Sequence, residues 1–246
     1  MGMMKRLQLI LIALASLSGC TKKGVIPDTN SILIVNKITQ GSPKKDASDT
    51  LTFLALGDSY TIGEASASYP YQLTDSLNAH SFHVLFPTEI AQDGWTTDNL
   101  ISAITTSGIN NTKFDFVTLL IGVNDEAQGL SLSNYRVKFL QVLNMAINFA
   151  NGDANRVFVL SVPDWGVTPY AKGQDATIGP QIDEFNAINQ DESENAGANY
   201  LNITTISREA ATDPSLISGD GLHPYAKMYT LWIQQLEPLI AAQLKK

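Results

Sequence analysis

Two rhythms of apolar and polar positions alternate along most of this chain. From Leu51 onward, short apolar runs are separated by stretches of helical spacing. Leu51–Leu56 is a short buried-strand run that ends at Gly57. Phe114–Ile121 (FDFVTLLI) is the clearest strand and stops at Gly122. Arg156–Val162 is another, broken by Pro163, and Tyr200–Ile206 reads as a further one. His83–Phe86 is a shorter candidate behind the mixed-polarity stretch Ser76–His83. Between these runs the period changes. Thr97–Thr106 sets Leu100, Ile101 and Ile104 at helical spacing, and Asn134–Ala150 puts Leu140, Leu143 and Ile147 on one face. Ile182–Ala196 is helical and polar. Pro224–Leu244 is a long final helix that Pro238 should kink or end.

Strands alternating with helices predict βαβ units and a mainly parallel sheet with helices on both faces. In such sheets, sites gather beyond the carboxyl ends of the strands. Gly57, Gly122 and Pro163 stand where strands are expected to end, so the loops after them should share one rim. The chain has 246 residues, enough for one sizeable α/β domain over residues 51–246.

The first fifty residues read differently. Lys5 and Arg6 precede the apolar run Leu7–Leu17, which is too short to span a bilayer but suits a signal segment. The run ends in Leu17-Ser18-Gly19-Cys20, small residues before the chain's only cysteine. This resembles the lipobox of bacterial lipoproteins, in which the cysteine is lipidated and becomes the mature N-terminus. Residues 1–19 are then a signal peptide and residues 20–50 a lipidated N-terminus and tether. The tether is polar and punctuated by Pro27, Gly41 and Pro43. Ser31–Ile38 interrupts it as either an edge strand or an apolar part of the linker. The localisation that follows is the bacterial cell envelope. Thr21 after the cysteine favours the outer membrane or surface over the inner membrane.

Composition narrows the partners. One cysteine allows no intramolecular disulfide, so the core must hold the fold. With 16 Lys and Arg against 24 Asp and Glu, the formal charge is −8. That excess of acid argues against nucleic acid, whose phosphates bind basic patches. It gives no electrostatic help with anionic lipid either, so a membrane partner would be reached through the lipid anchor alone.

Four short blocks carry the chemistry: Gly57-Asp58-Ser59-Tyr60, Gly94-Trp95-Thr96-Thr97, Gly122-Val123-Asn124-Asp125 and Asp220-Gly221-Leu222-His223-Pro224. Ser59 follows a strand and is a candidate nucleophile, since a serine hydroxyl needs only an adjacent base to become reactive. Taken alone it is equally a helix N-cap. Asp220 and His223 are three apart, which on a helical turn puts them on one face. Asp220 could then hold one imidazole nitrogen while the other faces a serine, the division of labour of an acid–base pair. The other two histidines, His80 and His83, have no acid at such spacing and read as surface or structural. Asn124 offers a side-chain amide at the end of the strongest strand. Such a donor is worth roughly 2.7–4 kcal/mol to an oxyanion, although Asn and Gly also favour turns. Gly94 would contribute only its N–H and could be a plain loop glycine. Asp125 reads as a loop-ordering carboxylate. Trp165, in Pro163-Asp164-Trp165-Gly166, either lines an acyl or sugar pocket or packs structurally, and Tyr60 is a second possible pocket residue.

In this order the blocks resemble those of the SGNH hydrolases, the GDSL-type esterases and lipases. The family's Ser, Gly, Asn and His stand here as Ser59, Gly94, Asn124 and His223. The resemblance runs from about Leu51 to about Leu236. Tyr60 stands where the family name has Leu, and Val123 replaces a frequent Thr. The resemblance implies a three-layer α/β/α sandwich with a flavodoxin-like sheet. It implies a Ser59–His223–Asp220 triad, with an oxyanion hole from the N–H groups of Ser59 and Gly94 and the Asn124 amide. It implies no metal and no cofactor. The expected activity is hydrolysis of carboxylic esters, short acyl or acetyl, through an acyl-enzyme. The substrate would be a small-molecule ester or an acylated carbohydrate, and the protein a monomer. No long apolar lid segment is present, which disfavours a long-chain lipase. Two other functions use the same residues or scaffold: an acyltransferase, and a non-catalytic binding lipoprotein. The G-x-S-x-G elbow of the α/β-hydrolases is absent, since the chain reads Gly57-Asp58-Ser59-Tyr60-Thr61.

Overall fold

The computed structural model describes residues 50–63 and 67–246. The signal segment, Cys20, the tether as far as residue 49 and the Ser31–Ile38 run lie outside the described residues.

Five parallel strands form one sheet in the order β2-β1-β3-β4-β5. They are β1 (Phe53–Asp58), β2 (Thr88–Gln92), β3 (Phe116–Leu120), β4 (Val157–Leu160) and β5 (Asn199–Leu201). Alternation on the strands builds two cores. Phe53, Ala55, Phe116, Leu120, Phe158 and Leu160 point to one face. Leu54, Leu56, Val117, Leu119, Val157 and Val159 point to the other. Helices α2 (Tyr69–Ala79) and α8 (Ala226–Leu244) pack together over the first face through Tyr69, Tyr229 and Trp232. Helices α3 (Thr97–Thr106) and α5 (Leu132–Phe149) cover the second through Leu100, Ile104, Phe139 and Leu143. Helix α6 (Asp175–Ala196) supplies residues to both cores. The result is the three-layer α/β/α sandwich with a flavodoxin-like strand order.

Several boundaries differ from those the sequence suggests. The second strand is Thr88–Gln92, whereas His83–Phe86 contributes only a single bridge, Val84 to Leu51. Strand β2 lies at the sheet edge and buries Ile90 alone, so its polar residues carry no apolar run. Helix α2 is an eleven-residue element for which the sequence suggests none, and only its last turn overlaps the mixed-polarity stretch Ser76–His83. Of Tyr200–Ile206, only the start is strand; the chain then turns into α7 (Thr204–Arg208). Ser161 Oγ accepts the N–H groups of Ile203 (2.8 Å) and Thr204 (3.0 Å), a long-range cap that overrides β-branched local preference. On α5 the buried stripe is Tyr135, Phe139, Val142, Leu143, Ala146 and Phe149, while Leu140 is exposed. Pro238 lies inside α8 without ending it, and α6 accommodates Pro180 likewise.

This topology sets the site. The chain leaves β1 toward β2 on one side and returns to β3 on the other. The loops after β1 and β3 therefore part above two paired strands, where Gly57 is level with Leu120. A crevice at the carboxyl ends is the geometric consequence.

Candidate active site

Ser59 opens a single-turn helix, α1 (Ser59–Ile62), directly off β1. Asp58 caps it by accepting the Tyr60 N–H at 2.9 Å. Ser59 is thus the first residue inside the turn, and the cap is its neighbour. Gly57 does not make the turn; it lies within β1. A Cβ there would stand 2.0 Å from Thr61 Oγ1 and 2.4 Å from the Leu120 carbonyl oxygen, so the bare backbone lets α1 fold back onto the sheet.

The histidine comes from the loop before α8. Its Nε2 is 2.9 Å from Ser59 Oγ, and its Nδ1 is 2.6 Å from Asp220 Oδ2. The spacing of three is not that of a helical turn. Residues 218–224 form a tight loop closed by an antiparallel bridge between Ile217 and Pro224. Within it, Asp220 Oδ1 accepts the N–H groups of Leu222 (2.8 Å) and His223 (3.0 Å) and the Ser218 hydroxyl (2.7 Å). An aspartate that bonds the backbone two and three residues on builds its own turn, and that turn aims the imidazole. Partial burial pushes the Asp220 carboxyl up, but the bonds from the His223 ring, the Leu222 and His223 N–H groups and the Ser218 hydroxyl outweigh it. The carboxyl ends well below the usual range and is ionised. Tyr60 packs against the imidazole, ring centroids 5.3 Å apart.

The remaining two blocks are bonded to each other. Asn124, on α4 (Val123–Ala127), donates one amide N–H to the Trp95 carbonyl at 3.0 Å. Its neighbour Asp125 accepts the Thr97 N–H (2.9 Å) and hydroxyl (2.7 Å). Asp125 is therefore a loop-ordering carboxylate. Gly122 enters α4 with φ +128°, and a Cβ there would sit 2.3 Å from the Tyr135 hydroxyl. Gly94 is exposed at φ +75°, with open space where a Cβ would be. That bond takes one of the two amide N–H groups of Asn124.

Three carboxyls in these blocks and beside them are buried: Asp58, Asp125 and Glu126. Burial pushes Asp58 up to about 8, against the lowering bond from Tyr60 and with the nearby Asp125 and Asp93 raising it further. Asp125 and Glu126 are also raised, mainly by burial. Glu126 accepts the Trp165 indole N–H at 2.7 Å. Trp165 is thus partly exposed above the core and anchored to the helix that carries Asn124. The partners of Trp165 and Asp125 bonds, Glu126 and Thr97, have no local sequence signal. Asp58 has one, as an N-cap residue before a short helix. His80 and His83 are exposed and stand outside the crevice, and His80 pairs with Glu237 at 3.3 Å. Among the described residues, no three His, Cys, Asp or Glu side chains are placed to hold a metal ion.

The model of the GDSL-like Lipase/Acylhydrolase family matches residues 55–231. The chain belongs to that family. No curated protein matches it in sequence. Its fold is shared with solved structures of low identity. A psychrotrophic esterase from Pseudoalteromonas sp. superposes with a TM-score of 0.61 at 16% identity, over 80% of this chain and 100% of the other. An acetylxylan esterase from Geobacillus stearothermophilus gives 0.60 at 15%, over 80% and 94%. A lipase/acylhydrolase from Enterococcus faecalis gives 0.59 at 17%, over 79% and 95%.

Proposed function

We propose that this GDSL-family protein is a serine esterase that hydrolyses carboxylic esters with short acyl groups. The observation that carries the reading is the unbroken line Asp220 Oδ2, His223 Nδ1, His223 Nε2, Ser59 Oγ, with links of 2.6 and 2.9 Å. Ser59 attacks the ester carbonyl while His223 takes its proton. The oxyanion is met by the N–H groups of Ser59 and Gly94 and by the free N–H of the Asn124 amide. His223 returns the proton to the leaving alcohol. Water, deprotonated by the same imidazole, releases the acid and restores Ser59. Asp220, ionised and tied into its loop, keeps the tautomer and orientation of the ring. No step calls on a metal or cofactor.

Lipidation at Cys20 and anchoring in the bacterial cell envelope belong to the same proposal. They are supported by Lys5, Arg6, the Leu7–Leu17 run and the residues before the cysteine. No helix among the described residues is long and apolar enough to cross a membrane. Incorporation of labelled fatty acid, absent in Cys20→Ser, tests the anchor.

The enzymatic test uses p-nitrophenyl esters of increasing acyl length with the full-length protein. Turnover is expected on acetate and butyrate, and it should vanish in Ser59→Ala together with labelling by a fluorophosphonate. Activity retained by a clean Ser59→Ala preparation would refute the nucleophile.

A further inference from the structure

One side chain beside the nucleophile is chemically out of place. Tyr60 follows Ser59 in the turn of α1 and is 3% exposed. Its backbone is held on both sides. The N–H donates to Asp58 at 2.9 Å, and the carbonyl accepts the Tyr229 hydroxyl of α8 at 3.2 Å. The side chain belongs to the first core and borders a narrow cavity with Ile217, Leu222, Pro224 and Met228. Its own hydroxyl is buried there and makes no hydrogen bond. A buried hydroxyl without a partner costs free energy, so an apolar side chain would be the more stable choice. The hydroxyl is therefore not what this position uses, and the aromatic ring remains.

The polar neighbour of that ring is His223. The two ring centroids are 5.3 Å apart, with planes tilted by 58°. Both imidazole nitrogens are taken, Nδ1 by Asp220 and Nε2 by Ser59. A third neighbour can act on the imidazole only through the rest of its ring. A cation within about 6 Å of an aromatic centroid is attracted by the ring quadrupole, and more strongly where water is kept out. Tyr60 acts as an uncharged phenol, because burial first, and then Asp58, Tyr229, Asp220 and Asp164, hold its hydroxyl well above the ordinary value. Those four are the ionisable groups around it. Asp220, on the histidine's own loop, is ionised. Asp58, at the end of β1, is pushed up to about 8. Asp164, from the loop after β4, is paired with Arg208 at 2.8 Å. Tyr229 is bonded to the Tyr60 carbonyl. All four are present in every variant at position 60, so a difference between variants reports the ring.

We propose that Tyr60 is a positioning residue for His223, its ring backing the imidazole and stabilising the protonated form that attack on an ester generates. This rests on the esterase reading above and adds to it a residue that needs no contact with the ester. At 3% exposure the side chain has almost no surface to give a substrate. As Ser59 Oγ forms its bond to the carbonyl carbon, its proton passes to His223 Nε2. The resulting cation is held by the Asp220 carboxylate at Nδ1 and by the Tyr60 ring. The charge disappears when the same proton moves to the oxygen of the departing alcohol as the acyl C–O bond breaks.

The test exchanges Tyr60 for three side chains: Tyr60→Phe, Tyr60→Leu and a trifluorinated phenylalanine, which keeps the shape of the ring but strips the negative charge from its face. The first readout is proton NMR titration of the imidazoles, the His223 signal being assigned by its loss in His223→Gln. Tyr60→Phe should leave the His223 midpoint unchanged. Tyr60→Leu and the fluorinated ring should lower it by about 0.5–1 unit. The second readout is kcat/KM on p-nitrophenyl acetate against pH. In the same two variants the acid limb should move down by a similar amount, and the plateau should fall about three- to tenfold through kcat. A ring that merely fills space would lower the plateau of Tyr60→Leu, yet leave its acid limb and the fluorinated variant where they were. That pattern would overturn the proposal, as would equal His223 midpoints in Tyr60→Phe and the fluorinated variant, which keeps the packing if Tyr60→Leu fails to fold. The NMR arm needs no turnover. Shifted midpoints in a protein that cleaves no ester would sink the esterase reading alone. Equal midpoints in an active enzyme would sink the role of Tyr60 alone.

Discussion

The two walls of the crevice treat the same functional group in opposite ways. On the serine wall, Asp58, Asp125 and Glu126 are buried, and burial raises all three carboxyls, Asp58 to about 8. On the histidine wall, Asp220 is exposed over 49% of its side chain and lowered. The difference is a balance of desolvation against hydrogen bonds to the charged form. Asp58 accepts one bond from Tyr60, whereas Asp220 accepts from Leu222, Ser218 and both the ring and backbone of His223. In the proposed esterase, the wall that would position the nucleophile and the oxyanion tolerates costly buried groups in return for rigidity. In the same proposal, the wall that would hold an imidazolium needs a carboxylate that stays charged, and an exposed loop supplies it at little cost.

That contrast can be broken in four places. The largest effect is expected at the histidine wall. Asp220→Asn should lower kcat by about 10²–10⁴-fold through loss of the tautomer and of the charge. Its melting temperature should move little, because the amide oxygen can still accept the Ser218, Leu222 and His223 bonds that build the turn. A large fall in Tm would mean that the loop is structural after all. Next, Asn124→Ala on the serine wall should cost about 10²–10³-fold in kcat, with KM on short esters nearly constant. An unaltered kcat would remove Asn124 from the oxyanion hole.

Smaller in rate but larger in stability is Asp125→Ala. It strips both bonds from the Thr97 N–H and hydroxyl and should destabilise the protein by about 1–3 kcal/mol by denaturant titration. A rate loss would accompany it as the Gly94–Thr97 loop relaxes, and stability equal to the parent would show that burial on this wall is incidental. The subtlest is a pH effect. The folded Asp58 carboxyl titrates at about 8, above its value in the unfolded chain. Between those values the unfolded chain is ionised and the folded one binds the proton, so stability falls as pH rises and levels off above about 8. Asp58→Asn keeps the acceptor for the Tyr60 N–H and cannot ionise. Its stability profile should be flatter across that window, and parallel profiles for the two proteins would refute the burial effect.

Much of the fold was legible because its signals are local. Helix α3 begins and ends where its spacing says, and Thr96 with Asn99 closes a capping box at its start. Strand β3 falls inside the FDFVTLLI run because it is buried on both faces. Strand β2 and helix α7 were illegible for complementary reasons. The first is a polar edge held by pairing to β1, and the second has strand-forming residues capped by Ser161, which follows the end of β4. Leu140 misled for a third reason: helical spacing names a face, but packing decides which face is covered.

The site divides along the same line. Sequence by itself determined which residues could react, because Ser, His, Asp and an amide are chemically irreplaceable in their parts and stand in four short blocks. It also determined the layer architecture, since buried strands and amphipathic helices are written in periods of two and three to four. Tertiary structure alone decided that Ser59 and His223, 164 residues apart, meet at 2.9 Å. It decided that Asp220 orients the imidazole from a self-closed loop, that Glu126 fixes Trp165 and that Tyr60 lies against the imidazole. Those contacts depend on where the β1–β3 switch point and the loop after β4 bring distant segments together. The positions of such contacts come from the packing of the whole sheet and its helices, for which no local pattern exists.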